Sequence, residues 1–265
     1  MKRMRQIRDH WTKEDVQFLA QLGIKVKEAF DYFNIEENES YYKIRERFAE
    51  RWEGSMLKDT FYYGYSKEEF ETAAYYVLTG CWTSGYPQPE DHFRYKEVSF
   101  DANKICPQCG CNLIQTNDLR IKKISKHGFW GFTAWLHDEM FVSKKIYEDV
   151  FAPLGIEKRT VIKGGKILED VYQLVIPTID ENLNLSERDK EICPVCGEIK
   201  YTPQHYKYPF FPLHEHPLPG IYKTKEWFGS GHAGWRMIII SKEVVEKLIQ
   251  SKDLKRFWLI PCRRA

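Results

Sequence analysis

Cys106-Pro107-Gln108-Cys109-Gly110 and Cys193-Pro194-Val195-Cys196-Gly197 decide how this chain is read. Two residues between the cysteines let one tight turn aim both sulfurs at a common point. Pro fixes φ in that turn and narrows the unfolded ensemble. The Gly after the second Cys permits a positive φ, so nearby backbone N–H groups can face the sulfurs. Two such turns supply four thiolates, a complete tetrahedral shell for Zn2+. The expectation is one structural zinc held by Cys106, Cys109, Cys193 and Cys196. Two separate disulfides or redox pairs are the alternative that a loop-borne CxxC leaves open. Cys111 turns the first motif into C-x-x-C-G-C, and stands either as a substitute for Cys109 or as a spare thiol. A filled shell has no open position for water or substrate.

The 83 residues from Gly110 to Ile192 separate the two motifs. A metal shared across that distance closes a long loop and restrains the unfolded chain, so it would staple a whole domain.

Working outward from the cysteines, the first 80 residues read as helical. Thr12 can cap a helix carrying Val16, Leu19 and Leu22. Further apolar periods run through Val26, Ala29, Phe30 and Phe33, then through Tyr42, Ile44, Phe48 and Trp52. Ser66 and Glu69 form a capping-box pattern ahead of Phe70, Ala73, Ala74 and Val77, with Gly80 as the stop. The loop Gly85-Tyr86-Pro87-Gln88-Pro89 marks a junction. The expected architecture is α+β: a helical N-terminal region over residues 1–84, then a zinc-stapled α+β domain over 85–265. Lys163-Gly164-Gly165-Lys166 reads as a hairpin turn. Leu174, Val175 and Ile176 read as a buried strand.

A weak internal repeat lies within the second region. Phe141-Val142-Ser143-Lys144-Lys145-Ile146 resembles Ile239-Ile240-Ser241-Lys242-Glu243-Val244, 98 residues later. Both read as a strand, a Ser N-cap, a short amphipathic helix and a second strand. Two related strand–helix–strand units are expected, over about 135–162 and 235–261.

Charge is nearly balanced, with 40 basic and 38 acidic residues and a formal net of +2. That gives no strong pull toward nucleic acid or an anionic membrane. Lys2, Arg3, Arg5 and Arg8 at one end, and Arg263-Arg264 at the other, read as solvated termini. No apolar run reaches membrane-spanning length, and no secretory h-region follows the basic start. Seven cysteines, an odd number, fit a reducing cytoplasm.

Catalytic patterns are weak. His214-Glu215-His216 would share a strand face, but the Pro-rich surroundings read as a loop. A hydrolase with a second metal there is a third-ranked reading. His137-Asp138-Glu139 reads as a polar turn. Gly229-Ser230-Gly231-His232-Ala233-Gly234 lacks the Lys-Ser/Thr of a phosphate loop.

The two distant CxxCG motifs, Ile240-Ser241 and the closing segment Phe257 to Pro261 resemble the double-CXXCG motif immunity proteins of bacterial toxin–immunity systems, over about residues 95–262. The resemblance implies a cytoplasmic protein that neutralises a cognate toxin by direct binding. Loop aromatics would then anchor the partner, with Trp82, Tyr86, Trp227 and Trp235 as candidates. A nucleic-acid-binding zinc-knuckle protein is the alternative.

Overall fold

The computed structural model describes residues 1–53, 58–80, 82–83, 86–123, 128–132, 135–180, 182–186, 188–203, 211–213, 220–255 and 258–264. Both helices and strands are present, as an α+β chain requires. Two compact units divide the chain, at Thr72/Ala73 rather than at residue 84. The first spans Met1–Thr72 and the second Ala73–Pro203 with Phe210–Ala265; residues 204–209 lie outside the described residues. Among the described residues no helix is long and apolar enough to cross a membrane.

The first unit is not purely helical. Strands β1 (Lys2–His10), β2 (Phe30–Glu36) and β3 (Asp59–Gly64) form an antiparallel sheet in the order β2-β1-β3. Helices α1 (Lys13–Gln21), α2 (Glu39–Trp52) and α3 (Lys67–Thr72) follow the three strands in turn. The basic N-terminus expected in solvent is therefore the central strand. Its charges are partnered: Arg5 meets Glu37 at 2.7 Å and Asp59 at 3.5 Å, and its guanidinium lies over the Tyr41 and Phe61 rings. Phe30 and Phe33, spaced for a helix, belong instead to β2. Their period of two sends Phe33 to the core and Phe30 to the opposite face.

Thr12 caps α1 as its spacing predicts, through a reciprocal box with Asp15. Asn38 caps α2. Ile7, Trp11, Leu19, Phe33, Ile44 and Phe48 form the core between sheet and helices. The Ser66/Glu69 box is formed as well, but α3 stops at Thr72. Tyr75-Tyr76-Val77-Leu78 is a strand, because aromatic and β-branched side chains suit a pleated surface buried on both sides.

A buried carboxylate ties this core together. Asp9 accepts from the Trp52 indole at 2.8 Å and from the His10 amide at 2.8 Å, and pairs with Arg51 at 3.0 Å and Lys58 at 3.3 Å. Burial alone would raise its pKa, but these donors and cations outweigh burial and hold it below the usual carboxylate range. A depressed folded pKa contributes stability above the unfolded value, and that stability is lost as pH falls through the folded one. Asp9→Ala is expected to cost about 2 kcal/mol at neutral pH, since it leaves the buried Trp52 indole N–H without its acceptor. Wild-type protein should lose protection of the β1 amides on acidification below about pH 4. The denaturant midpoint of Asp9→Ala at pH 7 checks the first, and hydrogen exchange at pH 7 and pH 3 on the wild type and on Asp9→Asn checks the second, with the variant losing less between the two.

In the second unit, one five-stranded sheet takes the order β5-β7-β8-β12-β9. Its strands are β5 (Trp82–Thr83), β7 (Phe129–Phe132), β8 (Met140–Ser143), β9 (Glu157–Arg159) and β12 (Val171–Val175). A second five-stranded sheet takes the order β15-β19-β4-β18-β16. It is built from β4 (Tyr75–Leu78), β15 (Phe211–Leu213), β16 (Ile221–Lys223), β18 (Ile238–Ser241) and β19 (Leu259–Arg264). Two three-stranded sheets are also present among the described residues. One orders β11 (Lys166–Ile167), β10 (Val161–Lys163) and β6 (Leu119–Arg120), and the other orders β13 (Lys190–Ile192), β14 (Ile199–Tyr201) and β17 (Trp227–Phe228).

Helix α4 is Tyr95–Ser99. An irregular helical segment follows β8: an α turn, α5 (Lys144–Ile146), then a π turn (Tyr147–Phe151), then a 3-10 turn (Ala152–Leu154). A regular helix, α6 (Lys242–Gln250), follows β18. The two N-cap serines differ. Ser143 accepts from the Ile146 amide as a cap, whereas the Ser241 hydroxyl accepts from the Gly220 amide.

Candidate metal centre

Both CPxCG motifs form the same backbone turn. In the first, the Cys106 N–H donates to the Cys111 carbonyl at 3.1 Å, and the Gly110 N–H donates to the Cys106 carbonyl at 2.9 Å. In the second, Cys193 donates to Glu198 at 2.9 Å, and Gly197 donates to Cys193 at 2.9 Å. Gly110 and Gly197 sit at φ +70° and +76°, which only glycine adopts without strain. Strands β13 and β14 pair Ile192 with Ile199, so the second turn is the tip of a hairpin.

The four expected sulfurs come together. All lie within 4.8 Å of one another. Cys106 and Cys193 are 3.8 Å apart, and Cys109 and Cys196 are 3.5 Å apart. A disulfide needs about 2.05 Å, and these cysteines are free. A tetrahedron of sulfurs about 2.3 Å from a central ion has edges of about 3.8 Å. The cluster therefore has the size and donor set to hold one metal ion. Cys111 stands outside the four, fully buried, and burial pushes its thiol up to about 11.

The protein environment sharpens the site. Backbone N–H groups of Cys109 and Gln108 face the Cys106 sulfur and lower its pKa to about 6, whereas burial raises Cys109 to about 12. Protons on crowded sulfurs compete with a metal, so binding would release them. Trp227 packs with Cys106, Cys109, Cys111 and Cys193 in one buried cluster.

Sequence reasoning missed the clasp around the first turn. The Gly-rich residues 229–234, which lack the Lys-Ser/Thr of a phosphate loop, lie against it. The His232 carbonyl oxygen is 2.2 Å from where a Gly110 Cβ would stand, and His232 Nδ1 is 3.4 Å from the Pro107 carbonyl. Lys200, on β14 and buried, donates its ammonium to the Gly231 carbonyl and anchors the loop. Nothing in the local spelling of either segment announces this packing.

The four aromatic candidates separate. Tyr86 is 42% exposed, with its ring 4.4 Å from that of Trp135. Trp82 lies in β5, and its side chain is outside the described residues. Trp227 is 6% exposed, so burial assigns it to the cysteine cluster rather than to a contact surface. Trp235 is half-buried against His137, ring centroids 4.7 Å apart. His205, His214 and His216 fall outside the described residues. Asp138 and Glu139 are engaged in ion pairs with Lys223, at 3.7 and 2.7 Å, and Glu139 also accepts from Gln173 at 2.7 Å.

Site and fold together define an α+β protein with a two-turn, four-cysteine cluster. Compared with protein-family models, with curated proteins and with solved structures, the chain matches none of them.

Proposed function

We propose that the four cysteines hold one structural Zn2+, and that the protein works in the cytoplasm as a binding protein, an immunity protein that neutralises a cognate toxin by direct contact. The four-sulfur cluster formed by the paired CPxCG turns carries this reading. Four sulfurs complete the shell of a zinc ion and leave no coordination position for a substrate, which favours a stapling role. The double-CXXCG resemblance supplies the toxin–immunity context. Exposed aromatics supply candidate anchors: Tyr86 and Phe93 in the second unit, and Phe30 and Tyr32 in the first.

Co-expression with a toxin encoded beside the gene tests it. Growth should be restored, and the two proteins should purify together. Undiminished toxicity with no complex would remove the reading.

One observation favours a second reading. On the face of the first sheet opposite its helices, β1 and β2 pair Arg8 with Tyr32 and His10 with Phe30. Tyr32 is 58% and Phe30 59% exposed. Aromatic rings beside a cation can stack single-stranded bases. This reading requires oligonucleotide binding that weakens steeply with salt.

A further inference from the structure

The two five-stranded sheets share a four-strand core. One reads β7-β8-β12-β9 and the other β16-β18-β4-β19, and every neighbouring pair in both is antiparallel. The registers match as well. Ser143 pairs with Val171 as Ser241 pairs with Tyr75, and Val142 pairs with Phe129 as Ile240 pairs with Ile221. Backbone bonds at the strand ends repeat. Ser143 N–H donates to Gly128 at 2.7 Å and Ser241 N–H to Gly220 at 2.8 Å. Lys144 donates to Asp170 and Lys242 to Ala74, both at 2.8 Å.

Chain order extends the match. One run is β4, the 106–110 turn, β7, β8, a helix and β9. The next is β12, the 193–197 turn, β16, β18, α6 and β19. The two runs have the same order, yet β4 lies in the second run's sheet and β12 in the first's. We infer that residues 73–264 are two copies of one strand–knuckle–β–β–α–β unit that have exchanged their first strands, each copy being the other's binding partner.

Contacts between the copies follow the rule of a twofold axis, where equivalent residues meet each other. Cys106 faces Cys193 and Cys109 faces Cys196, each pair 87 residues apart. At the separation of 98 that relates β8 to β18, the His137 ring meets Trp235 and Asp138 Oδ2 accepts from the Arg236 amide at 3.2 Å. The cysteine cluster is then two half-sites, one from each copy. That last point rests on the metal reading above; the strand exchange does not.

Cutting the folded chain tests the inference. A protease site placed in the Gly164-Gly165 turn, where a Cβ added at either glycine would meet nothing within 4 Å, separates the copies covalently. The two pieces should elute together at the intact size of 31.6 kDa. After separation in denaturant, neither piece alone should regain amide protection in β8 and β9 or in β18 and β19, and an equimolar mixture should regain both. Recovery of either pair of strands by a lone piece overturns the exchange. Cobalt(II) added to the mixture should give four-thiolate absorption at one ion per pair of pieces. A mixture that regains protection without that absorption overturns the shared metal and leaves the exchange standing.

Discussion

Cys193→Ser is expected to strip the metal and unfold the second unit. The substitution leaves three sulfurs, and one half of the cluster then presents a single thiolate. Structural zinc in small domains contributes about 10–16 kcal/mol of apparent binding energy at neutral pH. That matches or exceeds the about 5–15 kcal/mol by which whole domains are stable. Elemental analysis should find about one zinc per wild-type chain and a several-fold lower content in the variant. Hydrogen exchange should show the loss across β8, β12, β18 and β4. The β1 amides should keep their protection, because Ile7, Leu19, Phe33 and Ile44 form a separate core. A variant with normal zinc and unchanged protection would contradict the assignment of Cys193 as a ligand.

Gly110→Ala and Gly197→Ala should differ sharply, although both glycines end the same motif. Each sits at a positive φ, which costs an alanine about 1 kcal/mol. At Gly197 nothing lies within 4 Å of the new methyl, so the cost stops there. At Gly110 the methyl would stand 2.2 Å from the His232 carbonyl oxygen and 3.1 Å from its carbon. Backbone cannot swing aside as a flexible side chain can, so the 229–234 loop must lift from the turn. A loss of about 3 kcal/mol or more is expected, together with faster zinc release to a chelator. Denaturant midpoints of the two variants, measured side by side, check the contrast. Equal losses would mean that the loop does not clasp the first turn.

The four clustered cysteines were legible because the Cys-Pro-x-Cys-Gly spelling writes a local geometry: the turn, its Pro and its Gly are adjacent in sequence. The partner across the cluster is also spelled, since each half needs another. Their environment was not. Trp227, Lys200 and residues 229–234 reach the cysteines only through tertiary folding. The N-terminal strands were hidden by charge. In β1 the inward positions hold Arg5 and Asp9 beside Ile7, so alternation of apolar residues is masked by ion pairs that exist only once Glu37, Arg51 and Asp59 arrive. Tyr75-Tyr76-Val77-Leu78 was mistaken for the end of a helix because a genuine capping box lies just ahead of it. The box did start a helix. Aromatic and β-branched residues then ended it.

The placement of β4 has a consequence for biosynthesis. Tyr75, Tyr76, Val77 and Leu78 are all buried, and both flanking strands of β4 come from residues 238 onward. A ribosome reading from the N-terminus releases this apolar ribbon long before its neighbours exist. Its two edges stay open through most of translation, whereas the sheet around β8 has its core strands once residue 175 emerges. An apolar ribbon with open edges is a template for pairing between chains. Truncation before residue 238 would leave that state permanent, so nascent and shortened chains carry a hazard that the finished protein does not.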